Sequence, residues 1–235
     1  ALDWAERHDR PLACRLYGRA DRVWITAGQR YEGLQLGLAL RPLPEELTDP
    51  DRAYFHLALA RCAQRWVSVE GLDAAREAAR LFAQLGLDAP QFDACLLVAS
   101  QTLMRGDTAA GGAALAAARG LIRADAPIRQ LFNLEIMTAF WHEHEGRFAE
   151  AMACAQRQAD LVRDGGDAYW QTVADLNCAI SALSLETPAS VAERLERLIE
   201  RSRTSEAPPQ LSQPLYYLSW ARALCDRPLA ALQSA

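Results

Sequence analysis

The chain has 235 residues, 51% of them hydrophobic, with a formal charge of −5 and a pI near 5.5. That supplies apolar material for one large or two small cores, and the acidic balance excludes the clustered basic face that grips a nucleic-acid backbone. All 25 basic residues are arginine, so no G-x-x-x-x-G-K-[ST] phosphate loop exists.

The chain opens "ALDWAERHD" without methionine and stops at "LAALQSA" in what reads as mid-helix, so 1–235 is expected to be a piece of a longer protein. No run of 18 apolar residues occurs and no signal peptide opens the chain, so no membrane partner is expected. Alanine, leucine, arginine and glutamate dominate and favour helix throughout. Punctuation reads as loops at "RPLPEELTDP" (41–50), "LDAP" (87–90), "ADAP" (124–127), "DGGD" (164–167) and "SEAPPQ" (205–210). Apart from the first these are brief, as between antiparallel helices. No period-2 strand is evident.

An internal repeat organises these helices. Taking Gly28, Glu70, Gly106, Gly146, Glu186 and Asp226 as turn anchors gives separations of 42, 36, 40, 40 and 40. Five places after the anchors stand Gly33, Ala75, Gly111, Ala151, Val191 and Ala231; seven before stand Asp21, Ala63, Ala99, Ala139, Ala179 and Ser219. Small residues on both sides of each turn let two helices cross closely. One pair cannot bury its apolar face alone, so the units stack. The expected fold is all-α: a single repeat domain, a right-handed superhelical solenoid of about six helix-turn-helix units. Trp24, Trp66, Trp141 and Trp220 precede four anchors and suit the space between units. In the fifth unit Thr187 and Pro188 replace the glycine turn with an N-cap and a first-turn proline.

Acid–base and metal chemistry find little support. His142 and His144 in "HEHEG" lie two apart, about 200° around a helix, and do not form a two-histidine metal face. They read as the end of a first helix and its turn. Cys14, Cys62, Cys95, Cys154, Cys178 and Cys225 are scattered, with no C-x-x-C, and fit buried thiols in a reducing cytoplasm. "ERLERLIERSR" (193–203) reads as a solvated, salt-bridged helix face. No metal, cofactor or catalytic residue is expected.

"GRFAEA" (146–151), a glycine turn followed by an aromatic and then E-A, resembles the tetratricopeptide repeat, although the period near 40 departs from the standard of about 34. Longer units of this kind resemble those of large bacterial signal-transducing ATPase regulators, the maltose-activator and antibiotic-regulator kind. The stretch "ALDWAERHDRPLACRLYGRADRVWITAGQRYEGLQLGLAL" is similar to the segment leading into their sensor repeats. The resemblance implies a non-catalytic sensor arm that binds a small-molecule effector or a protein or peptide partner. ATPase and DNA-binding portions would lie elsewhere in the same polypeptide.

In such a solenoid the first helices line the recognition face. Nine before the anchors stand Arg19, Arg61, Leu97, Met137, Asn177 and Tyr217; six before stand Arg22, Gln64, Ser100, Phe140, Ile180 and Trp220. From these columns, with Tyr216, come the candidate binding residues Arg19, Arg22, Arg61, Gln64, Ser100, Phe140, Asn177, Tyr216, Tyr217 and Trp220. Arginines would hold a carboxylate or phosphate, and the aromatics would form a wall for a sugar ring or peptide side chain. The competing reading, solvated arginines and inter-repeat core aromatics, carries more weight on burial habits alone. A plain adaptor scaffold is the alternative function, and an enzyme the least supported. Apolar ends left by truncation would favour a homodimer of the fragment.

Overall fold

The computed structural model describes residues 2–163, 168–203 and 211–225. The loops read at 164–167 and 205–210, the sixth anchor at Asp226 and the small-column residue Ala231 lie outside them. All regular structure among the described residues is helical, in thirteen helices. None is long and apolar enough to cross a membrane.

Two compact units divide at 124/125. The first holds α1 (Leu2–His8), α2 (Arg10–Arg19), α3 (Asp21–Thr26), α4 (Arg30–Ala39), α5 (Asp49–Ala63), α6 (Val69–Gln84), α7 (Asp88–Leu103) and α8 (Thr108–Gly120). The second holds α9 (Ile128–His144), α10 (Phe148–Val162), α11 (Ala168–Ala182), α12 (Pro188–Arg203) and α13 (Ser212–Leu224). Within each unit helices pack chiefly on their sequence neighbours, and in the first unit α5 also meets α2, α3 and α7. That is the nearest-neighbour pattern of stacked helical hairpins.

The hairpins are α3–α4, α5–α6, α7–α8, α9–α10 and α11–α12. Their second helices begin at Arg30, Val69, Thr108, Phe148 and Pro188, which are 39, 39, 40 and 40 residues apart. The repeat is therefore more regular than the anchor spacing suggests. The reason lies in the second hairpin, where Ser68 caps α6 by accepting from the Gly71 N–H at 2.9 Å. The turn is at 64–68, and Glu70 falls inside the first turn of α6. Three residues of slip in that unit put Leu72 rather than Ala75 beside Gly33, Gly111, Ala151 and Val191. They likewise put Ala60 rather than Ala63 beside Asp21, Ala99, Ala139 and Ala179. Every member of both corrected columns is buried.

Gly28, Gly106 and Gly146 have φ of +72°, +80° and +72°, and a fourth, Gly86 between α6 and α7, has +66°. At each, the next residue's N–H bonds back five residues: Gln29 to Trp24 O (2.9 Å), Leu87 to Phe82 O (3.0 Å), Asp107 to Thr102 O (3.0 Å) and Arg147 to His142 O (2.8 Å). The glycine N–H bonds back three, so the ending carbonyls are satisfied in a Schellman arrangement that needs left-handed backbone. The α5–α6 turn has no glycine. There Gln101, fully buried on α7, donates from Nε2 to Ala63 O and Trp66 O at 3.2 Å each, while Arg30 on α4 donates to Arg61 O at 3.0 Å. Neighbouring hairpins thus cap the helix that its own turn leaves open.

Two stretches read as loops are helix starts. Asp88, Ala89 and Pro90 form the first turn of α7, and Asp49-Pro50 opens α5 behind the Thr48 cap. Proline is admissible there because first-turn N–H groups have no intrahelical partner. Thr187 caps α12 as expected, its Oγ1 accepting from the Ser190 N–H at 3.4 Å. Tyr17, Phe55, Leu59 and Phe82 centre the first core; Val191, Leu195, Ile199 and Leu218 centre the largest core of the second unit. Trp24 packs against the first of these, whereas Trp220 is exposed rather than inter-repeat filler.

Alanine at either end of α8 separates turn geometry from helix propensity. Gly106→Ala should cost about 1 kcal/mol because of its left-handed backbone. Gly120→Ala, where an added Cβ meets nothing within 4 Å, should gain about 0.5 kcal/mol. Urea denaturation of the two variants reads both signs.

Candidate functional site

The first unit binds its own charges. Arg19 ends α2, with its guanidinium 3.8 Å from the Tyr54 ring centroid and 3.9 Å from Asp51. Arg61, on α5, pairs with Asp21 at the start of α3 and with Asp93 on α7. One side chain therefore ties three helices, and its fork is occupied by carboxylates of the chain itself. Arg22 is exposed on α3, Gln64 is the C-cap of α5, and Ser100 is buried in α7. The corrected register places Arg61 with Arg22, Ser100, Phe140 and Ile180, eight residues before each second helix. Gln64 then shares its place with Ile25, Leu103, Glu143 and Leu183.

The second unit assembles a different face. Asn177 donates to the buried Gln158 at 2.7 Å, and the half-buried Phe140 ring meets His144 edge-on, centroids 4.2 Å apart. On α13, Tyr216, Tyr217 and Trp220 form one aromatic cluster with centroids 5.2 to 6.4 Å apart. Tyr216 is 60% and Trp220 53% exposed, while Tyr217 is half-buried. Beside them Ser181 on α11 donates to the Glu143 carboxylate on α9 at 3.2 Å. Burial pushes the Glu143 carboxyl up, with the Ser181 hydrogen bond and His144 opposing it. The Tyr217 hydroxyl is also pushed up, by burial first and then by the Glu143 charge. Glu143 and Ser181 were not among the sequence candidates. Glu143 sits in the "HEHEG" stretch read as a helix end, and no spacing links it to Ser181, 38 residues on.

A cavity of about 770 Å³ lies among α10, α11 and α12, lined in part by Arg163, Arg194, Arg197, Arg201 and Asp175. Arg194 clasps Glu186 with two bonds of 2.9 and 3.0 Å; Arg201 pairs with Asp175, Arg163 with Asp160, and Arg197 with Glu193 at 4.0 Å. Each of these arginines has a carboxylate partner, and of those carboxylates Asp175 lines the groove itself. It realises the salt-bridged surface read at 193–203 and extends it across helices.

Burial governs most of the cysteine thiols. Burial raises the thiols of Cys14, Cys62, Cys95 and Cys178, and pushes Cys154 up to about 11, so they stay protonated and poorly nucleophilic. His142 closes α9 against Trp141, and His144 turns toward Phe140, its Nδ1 2.9 Å from that residue's carbonyl. Among the described residues no three histidine, cysteine or acidic side chains gather as metal ligands.

No family model matches the chain, and no curated protein sequence matches it. Solved structures share its fold. The apo form of RapI aligns with a TM-score of 0.60 at 12% identity, over 95% of this chain and 62% of RapI. A Podosopora anserina kinesin-light-chain-type protein with nearly identical TPR-like repeats aligns with a TM-score of 0.55 at 15% identity, over 84% of this chain and 99% of that one. The chain spans less than two thirds of RapI, and at these identities the likeness concerns the fold. The tetratricopeptide-like hairpin repeat read from "GRFAEA" is borne out at that level.

Two substitutions probe the first unit. Arg61→Gln leaves Asp21 and Asp93 facing each other without their cation and should cost about 2–3 kcal/mol, below the fully buried range because water still reaches the side chain. Urea denaturation should show most of that loss reversed on adding Asp21→Asn and Asp93→Asn. Burial also pushes His56 on α5 from 6.5 down to about 4. The unfolded chain therefore takes up its proton first, and stability falls as pH drops from 6.5 towards 4. His56→Gln should flatten that part of the melting-temperature profile.

Proposed function

We propose that the chain is a non-catalytic recognition arm, the effector- or partner-sensing repeat domain of a bacterial signal-transducing transcriptional regulator. The regulator setting rests on the resemblance of the N-terminal forty residues, with ATPase and DNA-binding portions placed elsewhere in the polypeptide. Recognition is supported chiefly by one observation: Tyr216 and Trp220, one turn apart on α13 and in one ring cluster, both stand more than half exposed. Large rings held in water favour a partner that removes them from it. Tyr217, Phe140 and Asn177 belong to the same unit's first helices and extend the candidate face. In the first unit, Arg22 and Gln64 remain candidates, whereas Arg19 and Arg61 serve the fold, and the buried Ser100 would act only from behind the surface.

A thermal-shift screen against sugars, nucleotides, amino acids and short peptides tests this reading. A ligand at about a hundredfold its Kd should add roughly 2.7 kcal/mol, which raises Tm by about 5–10 °C in a chain of this size. The shift should vanish in Trp220→Ala and Tyr216→Ala. A shift that survives both and disappears in Arg22→Ala would move recognition to the first unit. Stabilisation by peptides alone would favour the adaptor scaffold over a small-effector sensor.

A further inference from the structure

Glu143 is out of place on a structural face. It is half-buried, its carboxylate accepts one hydrogen bond, from Ser181, and it makes no ion pair among the described residues. Beside it stand the Ser181 hydroxyl on α11 and His144 on its own helix. Tyr217 on α13 packs against one core with Ile180 and Leu183, which flank Ser181 at the end of α11, and its hydroxyl feels the carboxylate's charge. No arginine takes part, although among the described residues of the same unit arginine engages carboxylates eight times elsewhere. A partly desolvated, singly satisfied carboxylate is costly to a fold unless a cation arrives. Tyr217 links it to the exposed rings of Tyr216 and Trp220, whose π-faces attract cations too.

We propose that this face takes a basic side chain of a protein partner, a lysine ammonium or arginine guanidinium seated between the Glu143 carboxylate and the Tyr216 and Trp220 rings. The inference rests on the recognition role assigned above to the same first helices and adds the chemistry of what they recognise. An anion is repelled by Glu143. A neutral sugar would use the rings and leave the carboxylate uncompensated. The rings lie on an open helix face, which suits a side chain presented on a larger surface better than a free small amine. The Ser181 bond holds one carboxylate oxygen and leaves the other for the incoming cation.

The test uses fluorescence anisotropy of the whole 1–235 chain with an N-acetylated, fluorescein-labelled nonapeptide of alternating lysine and alanine. A peptide with glutamine in place of lysine is the neutral comparison. The lysine peptide should bind saturably, and the glutamine peptide at least tenfold more weakly. Glu143→Gln should weaken lysine-peptide binding at least tenfold, as should Trp220→Leu. Glu193→Gln changes net charge equally at an exposed site and should stay within twofold. Circular dichroism confirms that each variant is folded, and Glu143→Gln is isosteric. Equal effects of Glu143→Gln and Glu193→Gln, or no saturable binding of the lysine peptide at millimolar concentration, overturn the proposal. If both peptides bind alike and Trp220→Leu abolishes both, the aromatic face stands as a recognition surface and only its assignment to a cation falls.

Discussion

Close crossing of two helices within each hairpin is the constraint from which the rest follows. Alanine, glycine or another compact residue occupies most of the position three into the second helix and nine before its start, and every member of both columns is buried. At Gly111 the tolerance is visible: an added Cβ would lie 2.6 Å from Leu103 Cδ2, so the helices meet where only a hydrogen fits. Asp21 is the polar member of its column, and it is buried only because Arg61 reaches it from the next hairpin. Helices this close leave one broad apolar face per hairpin uncovered. That face, not helix propensity, drives one hairpin onto the next.

Close crossing also demands a short, sharply reversing connection, and the chain meets the demand in three ways. Gly28, Gly106 and Gly146 reverse it through left-handed backbone. The fifth hairpin starts its second helix with Thr187 and Pro188, using a side-chain oxygen and a pre-set φ where a glycine would have ended the first helix. The second hairpin does neither, and its open carbonyls are satisfied by Gln101 and Arg30 from the hairpins on either side. That solution couples three hairpins, as does the Arg61 tie between α3, α5 and α7. Local turn chemistry missing from one hairpin is replaced by polar contacts between hairpins, so the stability of that part of the first unit is shared among them.

This division explains what the sequence made legible. The period, the glycine turns, the small columns and the Thr187 cap are local and repeat, so spacing reveals them. The three-residue slip at Glu70 was missed because its hairpin lacks the glycine on which alignment depends; Ser68, three before Gly71, was the available signal. The loops read at 41–50 and 87–90 run on into helix at Asp49–Pro50 and Asp88–Pro90, because aspartate and proline suit the first turn of a helix as well as a loop. The candidate face was legible in part. Tyr216, Tyr217 and Trp220 stand out as aromatics at helical spacing, and they do cluster. Arg61 looked equally promising, but Asp21 and Asp93 lie 40 and 32 residues away and no motif joins them to it. Glu143 and Ser181 were hidden for the same reason.

Both units pair charges carried by α5, α9, α11 and α13, and Glu143 departs from that habit, which bears on where recognition resides. In the first unit Arg61 and Arg19 are matched by nearby carboxylates and an aromatic ring, contacts that hold helices together and leave little for a visitor. The place filled by Gln64 in the second hairpin and by Leu103 in the third becomes Glu143 in the fourth, then Leu183 in the fifth. An acid there is not required by the hairpin, since neutral residues serve the position in the other repeats. It is not matched by an arginine either, in a unit rich in arginine–carboxylate pairs. A position that the fold leaves free to vary, carrying a charge that the fold does not neutralise, has its physical rationale in something that arrives from outside.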